Sequence, residues 1–486
     1  MTRVKRLLGS GAAVTLLLGA CSLAPPLKTP QVPAGDAYKE VGSWTPAQPA
    51  DRLPRDSWWT LYGSAELDAL QTRLIAGNPT LAASLANYAQ AKALSDQARA
   101  GLFPTVGLNA SVGRARESVN APLISSSTPR YYDTNILGGS VSYELDLWGQ
   151  IRNEVAAGEA NAAAAAADLE NARLSLIAQL VDDYIQLRSL DRDSKILDDT
   201  VSAFTHALSL TEQRHGAGIA AGLDVSQAQT QLDAARSQAA QTLAQRALME
   251  HAIAALLGVS ASTFSIGPAV VDIKLPPIPT GIPGTLLQRR PDIAGAQRRM
   301  MAANANIGVA RAAYFPSLTL GGQGGVESTA FSNWLTAPST FWAIGPNALL
   351  SVFDGGLRRA QVAQARAEFD ASAANYRGTV VGAFQQVEDS LAALNHYSDA
   401  AREEKAAVDA AQRTLNLSMA LYVQGAVDYL TVVTSQTALL QTQVQALNLD
   451  TLQLTASVDL IRALGGGWED SGGAPGEKTA DAGQHP

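Results

Sequence analysis

The apolar positions of this chain fall into two rhythms. Val380, Phe384, Val387, Leu391 and Leu394 step four, three, four, three, and Leu174, Ala178, Val181 and Ile185 do the same 206 residues earlier. That is the spacing of helices packed as coiled coils. It predicts a long helix from about Gln150 to Arg214 and another from about Gly356 to Val423, each roughly 95–100 Å long at about 1.5 Å per residue. Shorter helices are expected over 79–102 and 223–257. Pro79 sits where a first helical turn tolerates proline, and Phe103-Pro104 stops the ladder. The second rhythm is alternation. Val141, Tyr143, Leu145 and Leu147 alternate with Ser140, Ser142, Glu144 and Asp146, as in a strand with one apolar face. Val106, Leu108, Ala110 and Val112 read the same way, as do Leu318 and Leu320. Ala348, Leu350 and Val352 alternate less cleanly with Asn347, Leu349 and Ser351. Polar loops over 114–135 and 327–340 join the strands in pairs.

The order repeats. Asn78-Pro79 answers Arg290-Pro291, and Arg99-Ala100-Gly101-Leu102-Phe103-Pro104 answers Arg311-Ala312-Ala313-Tyr314-Phe315-Pro316. Further on, Gly218 answers Gly425, Gln229 answers Gln436, and Leu256-Leu257-Gly258 answers Ala463-Leu464-Gly465. Each half reads helix, strand, strand, long helix, helix. The expected segments are a signal peptide over 1–20, a Pro-rich spacer over 21–55, a first repeat over 56–261, a Pro-rich linker over 262–284, a second repeat over 285–465 and a disordered tail over 466–486.

Four strands are too few to close a membrane barrel, since the smallest have about eight, so several copies are implied. Two shorter helices laid end to end match one long helix. Each half is therefore expected to form a rod with a strand hairpin at one end and a helix turn, 214–222 or 421–428, near the other. No run of eighteen apolar residues follows the leader, so a bilayer crossing requires strands.

Composition sharpens this. Charged residues are only 16% and aromatics 6%, which suits long helices packed through small side chains. A net charge of −8 offers no basic surface for nucleic acid. Arg3, Lys5 and Arg6 precede an apolar stretch from Leu7 to Leu18, the layout of a secretory signal. The run Leu18-Gly19-Ala20-Cys21 resembles the bacterial lipoprotein box. There the cysteine receives a diacylglycerol and a palmitoyl chain, and Ser22 after it implies delivery to the outer membrane. Cys21 is the only cysteine, which excludes an intramolecular disulfide framework.

No catalytic constellation emerges. His206, His215, His251, His396 and His485 are scattered without metal-ligand spacing, and no cofactor is expected. Gly321-Gly322-Gln323-Gly324-Gly325 follows a strand and opens no helix, which points to strand bending or close backbone approach instead of phosphate binding.

These residues resemble the outer-membrane factor family typified by TolC, and most closely its lipoprotein branch of OprM and NodT type. The most specific stretches are Leu286-Leu287-Gln288-Arg289-Arg290-Pro291-Asp292-Ile293, then Ala302-Ala303-Asn304-Ala305-Asn306-Ile307-Gly308-Val309-Ala310-Arg311, then Phe315-Pro316-Ser317-Leu318. Trp58-Trp59 and the turn from Tyr422 to Leu430 also fit. The resemblance implies a mainly α-helical homotrimeric duct, in which a twelve-stranded β-barrel continues into a periplasmic α-barrel. It implies a periplasmic adaptor, an inner-membrane resistance-nodulation-division pump that supplies the energy, and a passive, non-enzymatic channel for small molecules. It also places a gate at the helix turns, which here carry Arg214, Gly218, Asp224, Gly425 and Asp428. Asp428 is either a ring carboxylate at a narrow mouth or a helix N-cap. Leu421 stands where the first turn has Arg214, so an ion-pair network shared by both turns is not expected. Two other readings stay open: a coiled-coil lipoprotein scaffold without a pore, and a duct for protein secretion.

Overall fold

The computed structural model describes residues 22–30, 38–40, 57–118, 120, 130–276, 278 and 289–466. The expected signal peptide, Cys21, most of the spacer, residues 277 and 279–284 of the linker and the tail from 467 lie outside the described residues.

After a single 3-10 turn, Trp58–Tyr62, the first half runs α1 (Ala65–Gly77), α2 (Pro79–Ala100), β1 (Thr105–Arg116), β2 (Tyr131–Glu144), α3 (Gln150–Gly216) and α4 (Gly222–Leu256). The second runs α5 (Pro291–Ala312), β3 (Ser317–Ser328), β4 (Thr340–Leu349), α6 (Leu357–Val423) and α7 (Tyr429–Ala463). The repeat is exact in helix length: α2 and α5 have 22 residues, α3 and α6 have 67, and α4 and α7 have 35. The short helix that Asp56-Ser57-Trp58-Trp59 is expected to open is a 3-10 turn at Trp58–Tyr62, and α1 follows it from Ala65. Ser64 caps α1 by accepting from the Leu67 amide, and Leu67, Leu70 and Leu74 bury one face.

The chain folds as two compact units. One comprises the described parts of Met1–Pro30, Asn87–Ala165 and Gly295–Tyr376; the other those of Gln31–Ala86, Ala166–Ala294 and Arg377–Pro486.

The first unit holds one antiparallel sheet in the order β1-β2-β3-β4, so β1 and β4 are its edges. The register sorts its side chains into two faces. On one lie Val106, Val141, Gly322 and Ile344 in a row across the strands, then Leu108, Gly139, Gly324 and Trp342, then Ala110, Leu137, Val326 and Thr340. On the other lie Thr105, Ser142, Gly321 and Gly345, then Gly107, Ser140, Gln323 and Ala343. Among the described residues no core lies beneath the apolar face: Leu108 is 82% exposed and Trp342 80%. The expected glycine role holds at Gly325, where a Cβ would meet the Leu137 carbonyl oxygen at 2.3 Å. The strands approach too closely there for any side chain.

Both second strands stop earlier than alternation suggests. β2 ends at Glu144 and not Leu147, because Asp146 turns to cap α3, accepting from the Ile151 and Arg152 amides and pairing with the Arg152 guanidinium at 3.1 Å. β4 ends at Leu349 and not Val352, because Asp354 does the same for α6 with the Gly356 and Arg358 amides and Arg358 at 2.5 Å. Arg358 and those amides hold the Asp354 carboxyl down at about 2. β4 also begins at Thr340, so Trp342 and Ile344 belong to the strand.

In the second unit the repeat landmarks prove to be docking points. Asn78 caps α2 through the Leu81 amide and donates to the Leu256 carbonyl, the end of α4, at 2.7 Å. Its counterpart Arg290 donates to the Ala463 carbonyl, the end of α7, at 2.8 Å, while gripping Asp292 and Gln386. Around them a core gathers Trp58, Trp59 and Tyr62 with Leu180, Tyr184, Leu391, Leu394 and Leu460.

Candidate functional site

Two helix turns in the second unit carry the residues expected at a gate. In the first, Gly218 takes φ +71° after α3, and the Ile219 amide returns to the Arg214 carbonyl at 2.8 Å. In the second, Gly425 takes φ +77° and the Ala426 amide returns to the Leu421 carbonyl at 2.9 Å. A left-handed residue lets the chain reverse while feeding the last carbonyls, which is why glycine stands at both places.

The structure brings the two turns together. The Arg214 guanidinium donates to the Val423 carbonyl at 3.2 Å and lies 4.7 Å over the Tyr422 ring. Tyr422 in turn packs on Tyr429, ring centres 5.4 Å apart. Beneath them Phe204, Leu208 and Leu232 meet Val432 and Val433 in a separate small core. Burial pushes the Tyr429 hydroxyl up to about 12. Arg214 thus ties one repeat's turn to the other's through a carbonyl and a ring. The sequence offers no local signal for this, since the partners lie 209 residues apart.

The two acids divide one task. Asp428 is the N-cap of α7: its Oδ1 accepts from the Thr431 amide at 3.1 Å and hydroxyl at 2.7 Å, and these bonds hold its carboxyl below the usual range. In the first turn Ala221 occupies the capping position, and Asp224 three residues later reaches back to accept from its amide at 3.3 Å. Each turn carries a different half of the reciprocal cap seen in many helices.

Among the described residues, no group of three or more His, Cys, Asp or Glu is placed to hold a metal. No described helix is long and apolar enough to cross a membrane. Cys21 lies outside the described residues, which begin with its neighbour Ser22.

The chain matches the outer membrane efflux protein family over residues 70–259 and 282–466. It is 31% identical to the toluene efflux pump outer membrane protein TtgC of Pseudomonas putida, covering 96% of this chain and 97% of that one. It is 32% identical to the pyoverdine export outer membrane protein OpmQ of Pseudomonas aeruginosa, covering 93% and 95%. The outer membrane channel CmeC of Campylobacter jejuni superposes with a TM-score of 0.87 at 26% identity, over 93% of this chain and 96% of that one. The chain belongs to the outer membrane efflux protein family. As a member it is an outer-membrane channel component of efflux systems, located in the outer membrane and extending into the periplasm. The outer membrane efflux protein family is one of transport ducts, not of enzymes.

Proposed function

We propose that three copies of this chain close their sheets into one twelve-stranded barrel, apolar face to lipid and small polar face to the lumen. The chain then acts as a passive, non-enzymatic duct for small molecules. The observation that carries this is the sheet itself: two edge strands, one apolar face and no core. An unclosed sheet in lipid would leave its edge amides and carbonyls unpaired, each at a cost of several kcal/mol. From the row of Leu318 to that of Val112 the apolar face runs ten residues, roughly 34 Å along a strand and about 25 Å along the normal when tilted, the height of an outer-membrane apolar band. Eight strands would give a barrel filled by side chains. Here the inner rows are mostly Gly, Ser, Thr and Ala, which suits a wider, hollow ring. Twelve strands spaced about 4.8 Å and tilted about 40° give a backbone diameter of roughly 24 Å.

The two repeats, 56–261 and 285–465, each supply one hairpin and one helix turn. Residues 1–20 are removed, Cys21 is acylated and anchors the mature chain, and 262–284 link the repeats. The turns carrying Arg214, Gly218, Asp224, Gly425 and Asp428 form the periplasmic mouth. There a periplasmic adaptor and an inner-membrane resistance-nodulation-division pump connect. Asp428 acts there by capping α7 and so fixing the shape of the turn. Relatives named for cargos as unlike as toluene and pyoverdine support a small-molecule duct that leaves the choice of cargo to the pump. A scaffold without a pore would leave the apolar sheet face without a purpose.

The test is conductance. Purified protein in planar bilayers should give stepwise openings, and cross-linking in detergent should stop at three chains. A stable detergent-soluble monomer, or oligomers that never conduct when the mouth is mutated, would overturn the reading.

A further inference from the structure

The stretch from Ala302 to Arg311 marks the family, yet neither the sheet nor the helix turns use it. In the first unit it has a specific occupant. Asn304, Gly308 and Arg311 lie at intervals of four and three on one face of α5. Across that face runs the segment beginning at Ser22. The Arg311 guanidinium donates to the Leu23 carbonyl at 3.1 Å, and the Asn304 amide donates to the Pro25 carbonyl at 2.9 Å. From α3, the buried Asn153 accepts from the Ser22 hydroxyl at 2.9 Å. Gly308 leaves the space: a Cβ there would fall 2.9 Å from the Ala24 nitrogen and 2.5 Å from Asn153 Nδ2. That Nδ2 is buried with no hydrogen-bond partner among the described residues.

We propose that Asn304, Gly308, Arg311 and Asn153 form a receptor groove for the residues that follow Cys21, and that it positions the acylated terminus beside the strand-bearing end of the first unit. This rests on the reading of Cys21 as the lipid attachment site. The direction of the segment supports it. Leu23 lies at Arg311, one residue from the end of α5 and six residues before β3 begins, whereas Pro25 lies further back, at Asn304. The cysteine is one residue, about 3.8 Å between Cα atoms, beyond Ser22. Lipid and strands therefore enter the same layer of membrane.

The first repeat shows that the groove is not a by-product of the fold. At the corresponding positions α2 carries Lys92, Asp96 and Arg99, and Arg99 is spent on Glu159 at 2.6 Å. Further along the chain Tyr38 is buried in the core, and the amides of Lys39 and Glu40 donate to Glu388.

The experiment places a reporter thiol in the segment (Ala24→Cys) in the full-length, membrane-assembled protein and follows its reaction with a maleimide-polyethylene glycol. In the otherwise unaltered chain this introduced thiol should react slowly. Gly308→Val, and separately the pair Asn304→Ala with Arg311→Ala, should speed labelling at least tenfold. Arg311→Lys, which keeps a donor, should preserve protection, and Lys92→Ala should change nothing. Equal rates in all variants would overturn the groove, as would equal acceleration by Lys92→Ala. If Gly308→Val does not assemble, the Asn304/Arg311 pair carries the test. The chain without Ala24→Cys separates the two readings. An acylated Cys21 has no free thiol, so maleimide uptake there, with no palmitate incorporation, would refute the lipid anchor while leaving the groove to be judged on the reporter thiol.

Discussion

Replacing Arg214 by alanine should loosen the mouth of the duct. The guanidinium makes one bond to the Val423 carbonyl at 3.2 Å and one stacking contact on Tyr422 at 4.7 Å. A half-exposed charged donor on a carbonyl contributes about 1 kcal/mol, and a cation over an aromatic ring about 0.5–1 kcal/mol. Against this, Arg214 Nε is buried without a partner, which returns part of the gain. The net tie is therefore about 1 kcal/mol per chain. If the mouth opens by separating the two turns in all three chains together, the loss is about 3 kcal/mol, roughly a hundredfold in the open-to-closed ratio. Single-channel recording in planar bilayers measures that ratio directly as the fraction of time open. Lys195→Ala, which removes an exposed pair with Asp199 on the same helix, serves as control because such pairs contribute little. An open fraction unchanged by Arg214→Ala, or raised equally by the control, would refute the claim that this tie closes the mouth.

Three further outcomes are expected. Asp428→Asn keeps a capping acceptor and should gate normally, whereas Asp428→Ala should alter gating; a change with Asn alone would mean the charge itself acts, and the same recordings decide. Burial first, and then the nearby Asp459 charge, raise the Asp182 carboxyl to about 7; burial raises Asp183 to about 6. Their folded pKa values lie above the unfolded ones, so the native state binds more protons between about pH 4 and 7 and loses stability as pH rises through that window. Asp182→Asn should flatten the fall in melting temperature between pH 5 and 8 followed by circular dichroism, and an unchanged slope would contradict this. Gly325→Val, which thrusts a side chain into the Leu137 carbonyl, should abolish oligomers on native gels while leaving the helices of the second unit folded by circular dichroism.

Much of this was legible along the chain. The four-three spacing and the glycines at 218 and 425 locate both long helices to within two residues at each end, because helix periodicity and its punctuation are local. Strand ends were less legible. Asp146 continues the alternation but is drawn off to cap the following helix, and Asp354, two residues past the second alternation, does the same for α6, a competition that no period reveals. What the sequence hid is what depends on distant partners. The Arg214 tie spans 209 residues and the bond from Arg311 to Leu23 spans 288. Gly308 reads as one small residue in an alanine-rich helix until the backbone it admits is seen.

The inner face of the sheet has a consequence for what passes through it. Gly107, Ser140, Gly321 and Ala343 project little or nothing beyond the main chain. Larger side chains on that face, Gln323, Glu327 and Phe341 among them, are outnumbered by Gly, Ser, Thr and Ala, so a solute there meets mainly peptide groups already bonded to one another. Such a surface is close to indifferent, and indifference is useful in an exit passage: a wall that recognised its cargo would also retain it. In the duct proposed above, discrimination among compounds would then fall to the partner upstream of this tube.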